Sequence, residues 1–309
     1  MSDQLQLTQW LKQVSEQFPW SRIAASARSA LAMRIPAVEP YLGSYADAVY
    51  GLKSGFFYFP ILQAREWGLA EQSVLEHICV ALALGHFHYS WQDKLIDEAI
   101  SDPIMCLCAS EALMASIDLV CDIDPHNTRD YRRMNSEYYA RYTAAVLRDL
   151  AHRVTPHSYT ADELLTLGEK AAPGGTVIRL IGSLTGHEGE SDAVVEALIL
   201  FCAGLQLVDD LGDAAIDAAD GNLSWPVTSA IQAYPDLDRT NAEQVDAAVV
   251  GSGAEVACLR LATSVFTKVQ CRADAISSRA LCDLANAWRE RTHGRLLTAE
   301  ARVREFVEI

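Results

Sequence analysis

Apolar residues recur along this chain at helical rather than alternating spacing, and in long runs. Gln4 to Phe18 and Ser21 to Ile35 predict two amphipathic helices, separated by Pro19 and closed by Pro36 and Pro40. Ser44 to Trp67 is rich in aromatics, with Phe56, Phe57, Tyr58 and Phe59 ahead of Pro60, as core or as cavity wall. Gln72 to Trp91, Ile104 to Val120, Asn127 to Val154 and Ala193 to Leu207 predict further helices, and the last is apolar enough to be buried inside a bundle. Asp102-Pro103 predicts a helix stop and Asp122 to His126 a polar turn. Thr160 predicts a helix start with Asp162 and Glu163 in its first turn, and Pro173-Gly174-Gly175 breaks that helix beyond Lys170. Ala218 to Ser224 reads as a turn. Ala254 to Ala275 and Ser278 to Phe306 read as the final helices. The expected fold is all-α: one antiparallel helical domain over 1–309, with 1–43 packed on it and 235–253 as a surface excursion.

Two of the apolar runs end in spaced carboxylates. After Leu207 come Asp209, Asp210 and Asp213, with Gln206 before them and Asp217 after. At helical spacing Asp209 and Asp213 share a face, and Asp217 lies one turn on. Negative charge at a helix C-terminus opposes the macrodipole and needs a cation. Oxygen ligands at this spacing suit Mg²⁺ together with a phosphate, while a solvated acidic helix end is the plain alternative. The run from Gln72 ends in the same way, with Asp93 and Asp97 on one face and Glu98 beside them. Two such helices can face each other across a bundle and hold metal between them.

Composition narrows the function classes. Half of the 309 residues are hydrophobic, enough for a sizeable core. The net charge of −16 argues against nucleic acid or an anionic membrane surface as partner. The eight cysteines lack zinc-site spacing and read as reduced core thiols. No basic stretch followed by an apolar one opens the chain, and no apolar run reads as long and pure enough to span a bilayer.

The segment Gln206 to Val227 resembles the second aspartate-rich motif of the type I isoprenoid synthase superfamily, the prenyl diphosphate synthases and class I terpene cyclases. The family's Gln-x-x-Asp-Asp-x-x-Asp reads Gln206, Asp209, Asp210 and Asp213, continuing through Asp217, Gly221, Asn222, Ser224, Trp225 and Pro226. The first motif resembles Asp93 to Asp97, with Lys94 in place of the second aspartate. The lysine that contacts diphosphate in the family resembles Lys170, followed here by Ala171 rather than Thr. The order and spacing cover roughly residues 50 to 230.

This resemblance implies a bundle around a central cavity and a Mg²⁺ cofactor held by Asp93, Asp97, Asp209, Asp213 and Asp217. Gln206, Asp210 and Glu98 would support those ligands, and Lys170 and Arg179 would bind diphosphate, unless Arg179 is a surface ion pair. His88 and Tyr89, just ahead of Asp93, would limit cavity depth, although a histidine on an apolar helix is more often core. Tyr138 and Tyr142 would either face carbocations in the cavity or pack between helices. Chain elongation needs a second diphosphate site, and its basic elements are missing. No arginine lies between Lys53 and Pro60, no basic residue between Asp97 and Pro103, and Asn222 stands where a lysine is usual. The expected activity is therefore a class I terpene cyclase, a lyase acting on a linear prenyl diphosphate of ten to twenty carbons. The Asn-Asp-x-x-Ser-x-x-x-Glu motif of many bacterial cyclases is missing, so the aspartate-rich motif would have to serve in its place. A prenyltransferase or short-chain prenyl diphosphate synthase is the alternative, and an inactive regulatory subunit a third reading. A cytoplasmic homodimer is expected from the resemblance.

Overall fold

A computed structural model describes residues 20–36, 55–97, 102–152 and 155–307. The described residues contain no strand. Thirteen α-helices follow in order: α1 Trp20–Arg34, α2 Gly55–Glu66, α3 Gln72–Asp97, α4 Pro103–Ile123, α5 Thr128–His152, α6 Ala161–Leu165 and α7 Gly175–Thr185. They continue as α8 Glu188–Gly212, α9 Ala214–Asp220, α10 Trp225–Ala233, α11 Ala242–Gly251, α12 Ala254–Ala275 and α13 Arg279–Val307. The expected helix Gln4 to Phe18 lies outside the described residues. Contacts divide the chain into two compact units, the division passing within α5 and within α8.

The unit holding α1 to α4, the first part of α5, and α7 is centred on α3. Ile78 to Leu84 are all buried there, because seven consecutive apolar or small residues leave that helix no polar face. Small side chains let α4 approach it: Gly85 faces Ser116, whose hydroxyl donates to the Ala81 carbonyl at 2.7 Å. Asp102 ends the polar link as a helix start rather than a stop. Its carboxylate accepts from the amides of Ile104 and Met105 at 3.0 and 3.2 Å, with Pro103 at the first helical position. Asp124 then gathers Tyr131, Asn127 and Ser183 on one carboxylate oxygen, which ties α7 to the α4–α5 turn.

The other unit holds the rest of α5, α6, most of α8, and α9 to α13. The long helices α12 and α13 pack along each other, with Leu259, Ala262, Val265, Phe266 and Val269 of α12 fully buried. Phe266 also stacks near Phe201 of α8, at 5.5 Å between ring centres. The stretch 235–253, expected as a surface excursion with a short helix, carries the ten-residue helix α11. Val245, Ala248 and Val249 of α11 are buried against neighbouring helices, while Ala242, Glu243, Gln244, Asp246, Ala247 and Gly251 are exposed. Alanine and valine at helical spacing hold it there despite the polar residues around them.

The helix expected after Thr160 is shorter than its sequence suggests. Thr160 forms a capping box with Glu163, as its first turn predicts, but α-helix persists only to Leu165. From Thr166 to Gly174 the chain is a 3₁₀ helix containing Pro173, and Lys170 sits on it. Close packing on α8 explains the change: a Cβ on Gly168 would lie 2.1 Å from the Ile199 carbonyl oxygen and 2.9 Å from the Ala203 amide. Gly168→Ala is therefore expected to destabilise the fold by about 1–3 kcal/mol. An unchanged melting temperature would contradict this close approach.

By length and composition α4 and α8 are apolar enough to cross a membrane, which corrects the expectation that no run qualifies. In α8 that surface belongs to the core, since Val194, Val195, Ala197 to Phe201, Ala203 and Leu207 are buried. None of the eight cysteines forms a disulfide, and Cys79, Cys108, Cys121 and Cys258 are buried. Cys258 donates through sulfur to the Leu207 carbonyl.

Candidate metal and diphosphate site

Both apolar helices run from a buried body to an open acidic end. On α8, Leu207 and Leu211 stay in the core, while Asp209 is exposed and Asp210 half-buried. The motif is not one unbroken helix, as its sequence spacing suggests. Gly212 ends α8, and Asp213 sits at the start of α9 with φ −101° and ψ 6°. The Asp213 amide still bonds to the Asp209 carbonyl at 2.9 Å, and the Asp217 amide to the Asp213 carbonyl at 2.8 Å. One-turn spacing along Asp209, Asp213 and Asp217 therefore survives the break. Gly221, with φ 80°, then closes α9 in a left-handed turn that few residues other than glycine adopt.

Burial pushes the Asp209 carboxyl up, and the neighbouring Asp213 pushes it further, while Lys170 opposes both. Asp210 is pushed up to about 7, first by burial and then by Asp217 and Asp149, against Gln206 and Lys170. Gln206 donates to Asp210 at 2.6 Å, the supporting bond its place in the motif implies. Lys170 thus lies in the same electrostatic neighbourhood as the motif. Its ammonium pairs with Asp149 at 2.8 Å, both side chains largely buried.

Asp149 is a residue that sequence reasoning missed, together with the clamp that aligns it. Arg141, two turns earlier on α5, grips Glu169 at 2.6 and 2.9 Å and Glu196 of α8 at 2.7 Å. Glu169 and Lys170 are adjacent on the 3₁₀ segment, so α5 holds it with two ion pairs of opposite polarity. Arg141 and Asp149 lie eight residues apart on one face of α5, but that spacing does not announce their partners on the 3₁₀ segment.

Burial raises Asp210 from its usual 3.8 to about 7, so the folded state binds a proton that the unfolded state has lost. Stability of the metal-free protein therefore falls as pH rises through that window. Asp210→Asn is expected to raise the metal-free melting temperature by several degrees at pH 8, with the gain shrinking toward pH 5. An equal gain at both pH values would contradict this.

On α3, Asp93 and Lys94 are exposed beyond the buried body, and Lys94 lies over the Trp91 ring at 5.9 Å. The Asp97 side chain and Glu98 lie outside the described residues, as do Lys53 and its surroundings. The histidine read as core or as a limit to cavity depth lies in the buried body of α3. His88 is buried, with Nδ1 2.9 Å from the Ala109 carbonyl of α4, because the small Ala109 leaves room for the ring. Tyr89 is half-buried and meets His88 edge-on at 4.9 Å. Tyr138 and Tyr142 on α5 are both buried, and the Arg141 guanidinium lies over Tyr138 at 6.0 Å. Arg179 on α7 pairs with Asp192 at 2.7 Å and meets the Met134 sulfur, so the ion-pair alternative is the one the structure displays.

A donor set made of carboxylates, crowded enough that Asp213 pushes the Asp209 carboxyl up, fits a hard divalent ion, and the oxygen-only chemistry suits Mg²⁺.

No family model matches the chain, and no curated protein matches it in sequence. Solved structures match it in fold. A geranylgeranyl pyrophosphate synthase from Lactobacillus brevis has a TM-score of 0.70 at 14% identity, covering 91% of this chain and 98% of that one. A decaprenyl diphosphate synthase from Rhodobacter capsulatus has a TM-score of 0.65 at 18% identity, covering 93% and 98%. A polyprenyl synthase from Caulobacter crescentus, solved with calcium and isoprenyl diphosphate, has a TM-score of 0.62 at 16% identity, covering 93% and 98%. This chain has the all-α fold of these polyprenyl diphosphate synthases.

Proposed function

We propose that this protein is a Mg²⁺-dependent enzyme acting on a prenyl diphosphate, and that it transfers the prenyl group to an acceptor. The observation that carries the reading is the run of Asp209, Asp210, Asp213 and Asp217 beside Lys170, where burial and neighbouring carboxylates push Asp209 and Asp210 up. Magnesium, when bound, neutralises charge on the leaving diphosphate. Asp209, Asp213 and Asp217 would hold it from α8 and α9, and Asp93 and Asp97 of α3 are ligands by the resemblance alone. Gln206 fixes Asp210 beside the ligands, and Glu98 supports those of α3. Lys170 would turn from Asp149 to the diphosphate, whereas Arg179 stays in its ion pair with Asp192.

The acceptor divides two readings. Likeness in fold to polyprenyl diphosphate synthases supports the transferase. The cyclase stays as the second reading because the basic residues of an acceptor diphosphate site are missing near Pro60, Asp97 and Asn222. Incubation with geranyl, farnesyl and geranylgeranyl diphosphates and Mg²⁺, with and without isopentenyl diphosphate, separates them. A longer diphosphate formed only with isopentenyl diphosphate is the expected result. A hydrocarbon or alcohol formed without it would establish the cyclase instead. No Mg²⁺-dependent diphosphate release from any of them would sink both and leave the inactive subunit.

A further inference from the structure

Outside the aspartate motif, a second group of metal-binding side chains gathers where α5 ends and α6 begins. His152 closes α5, His157 stands on the returning chain, and Glu163 lies in the first turn of α6. One donor atom from each lies within 4.8 Å of the other two, and all three side chains are half-buried. The two imidazoles lie face to face, 4.3 Å between ring centres and 14° from parallel. His157 Nε2 is 3.2 Å from Glu163 Oε1.

These side chains are held from behind. Tyr159 meets His152 edge-on at 5.3 Å and His157 edge-on at 5.1 Å, and its hydroxyl donates to the Leu223 carbonyl at 2.8 Å. Glu163 is fixed through its other oxygen, which accepts from the Thr160 amide at 2.7 Å and from its hydroxyl at 2.8 Å. The capping box thus occupies Oε2 and leaves Oε1 toward the histidines. Packing on Tyr159 and the capping bonds thus limit where all three side chains can sit.

We propose that His152, His157 and Glu163 bind one transition-metal ion of the zinc class, with water as the fourth ligand. Two imidazoles and a carboxylate suit Zn²⁺, whereas Mg²⁺ prefers an all-oxygen set. Zinc bonds of about 2.0–2.1 Å put tetrahedral donors roughly 3.4 Å apart, so the three must draw together by about 1 Å. Rotation of one imidazole about its Cβ–Cγ bond turns both lone pairs toward a common point. The ion replaces the His157–Glu163 contact and clasps the end of α5 to the start of α6. Asp149 lies one turn before His152, and Lys170 seven residues beyond Glu163, so the clasp fastens both arms of that ion pair. Its role is to stabilise the unit, and it does not depend on the proposed reaction.

The test uses the full chain without a histidine tag, freed of metal by a chelator and then kept in excess Mg²⁺. Titration with Co²⁺ is expected to give the strong visible absorption of four-coordinate cobalt, saturating at one equivalent, and Zn²⁺ should displace it. His157→Ala, His152→Ala and Glu163→Gln should each weaken Co²⁺ binding by at least about tenfold. Glu163→Gln keeps a capping side chain, so an unchanged metal-free melting temperature separates lost ligation from lost folding. Asp209→Ala should bind Co²⁺ as wild type does. Binding that survives His157→Ala and Glu163→Gln, or a wild-type chain that takes up no Co²⁺ in excess Mg²⁺, would overturn the site.

Discussion

Asp209→Ala is expected to lower turnover of a prenyl diphosphate by ~10³-fold while leaving the helical content unchanged. Asp209 is exposed at the open end of α8, and the core contacts there belong to Leu207 and Leu211. Alanine keeps the helix, so the fold loses little. The leaving diphosphate, in contrast, would lose much of the charge neutralisation that the proposed Mg²⁺ on this carboxylate would supply. About 4 kcal/mol of transition-state stabilisation corresponds to that factor. Asp93→Ala is expected to act alike, and turnover by either variant at the wild-type rate would remove these residues from the ligand set.

Lys170→Ala is expected to act on both stability and turnover. Asp149 is left largely buried without its partner, at a cost of about 1–3 kcal/mol. Asp209 and Asp210 also lose the cation that opposes their upward shift, so metal-free stability at pH 8 falls further. Turnover should fall by ~10²-fold, as expected for a donor to developing diphosphate charge. Adding Asp149→Asn separates the two effects. The double variant should regain most of the lost melting temperature and none of the lost turnover. Recovery of both would make Lys170 purely structural.

The sequence revealed most where one element satisfied its own rules. The interval Ala254 to Ala275 returned as a helix with the same bounds, and Thr160 with Glu163 formed the expected cap, because periodicity and capping are local. The Gln206–Asp210 support was legible for the same reason, since both residues lie on one turn. Features that depend on approach between elements were not legible. Gly168 forces a 3₁₀ path under Lys170 only because Ile199 stands behind it. That His88 meets the Ala109 carbonyl of α4 was likewise not legible, although its burial was. Asp149 entered the site through a fold-back from α5 that no spacing along the chain announces.

The direct test of the metal-bridged diphosphate is a Mn²⁺ titration followed by electron paramagnetic resonance, with and without inorganic diphosphate. Carboxylates that bridge metal to diphosphate require each ligand to tighten the other. Diphosphate is expected to strengthen Mn²⁺ binding at least about tenfold in the wild-type chain, and Asp209→Ala to abolish that gain. Equal Mn²⁺ binding with and without diphosphate would contradict a metal-bridged diphosphate at these aspartates.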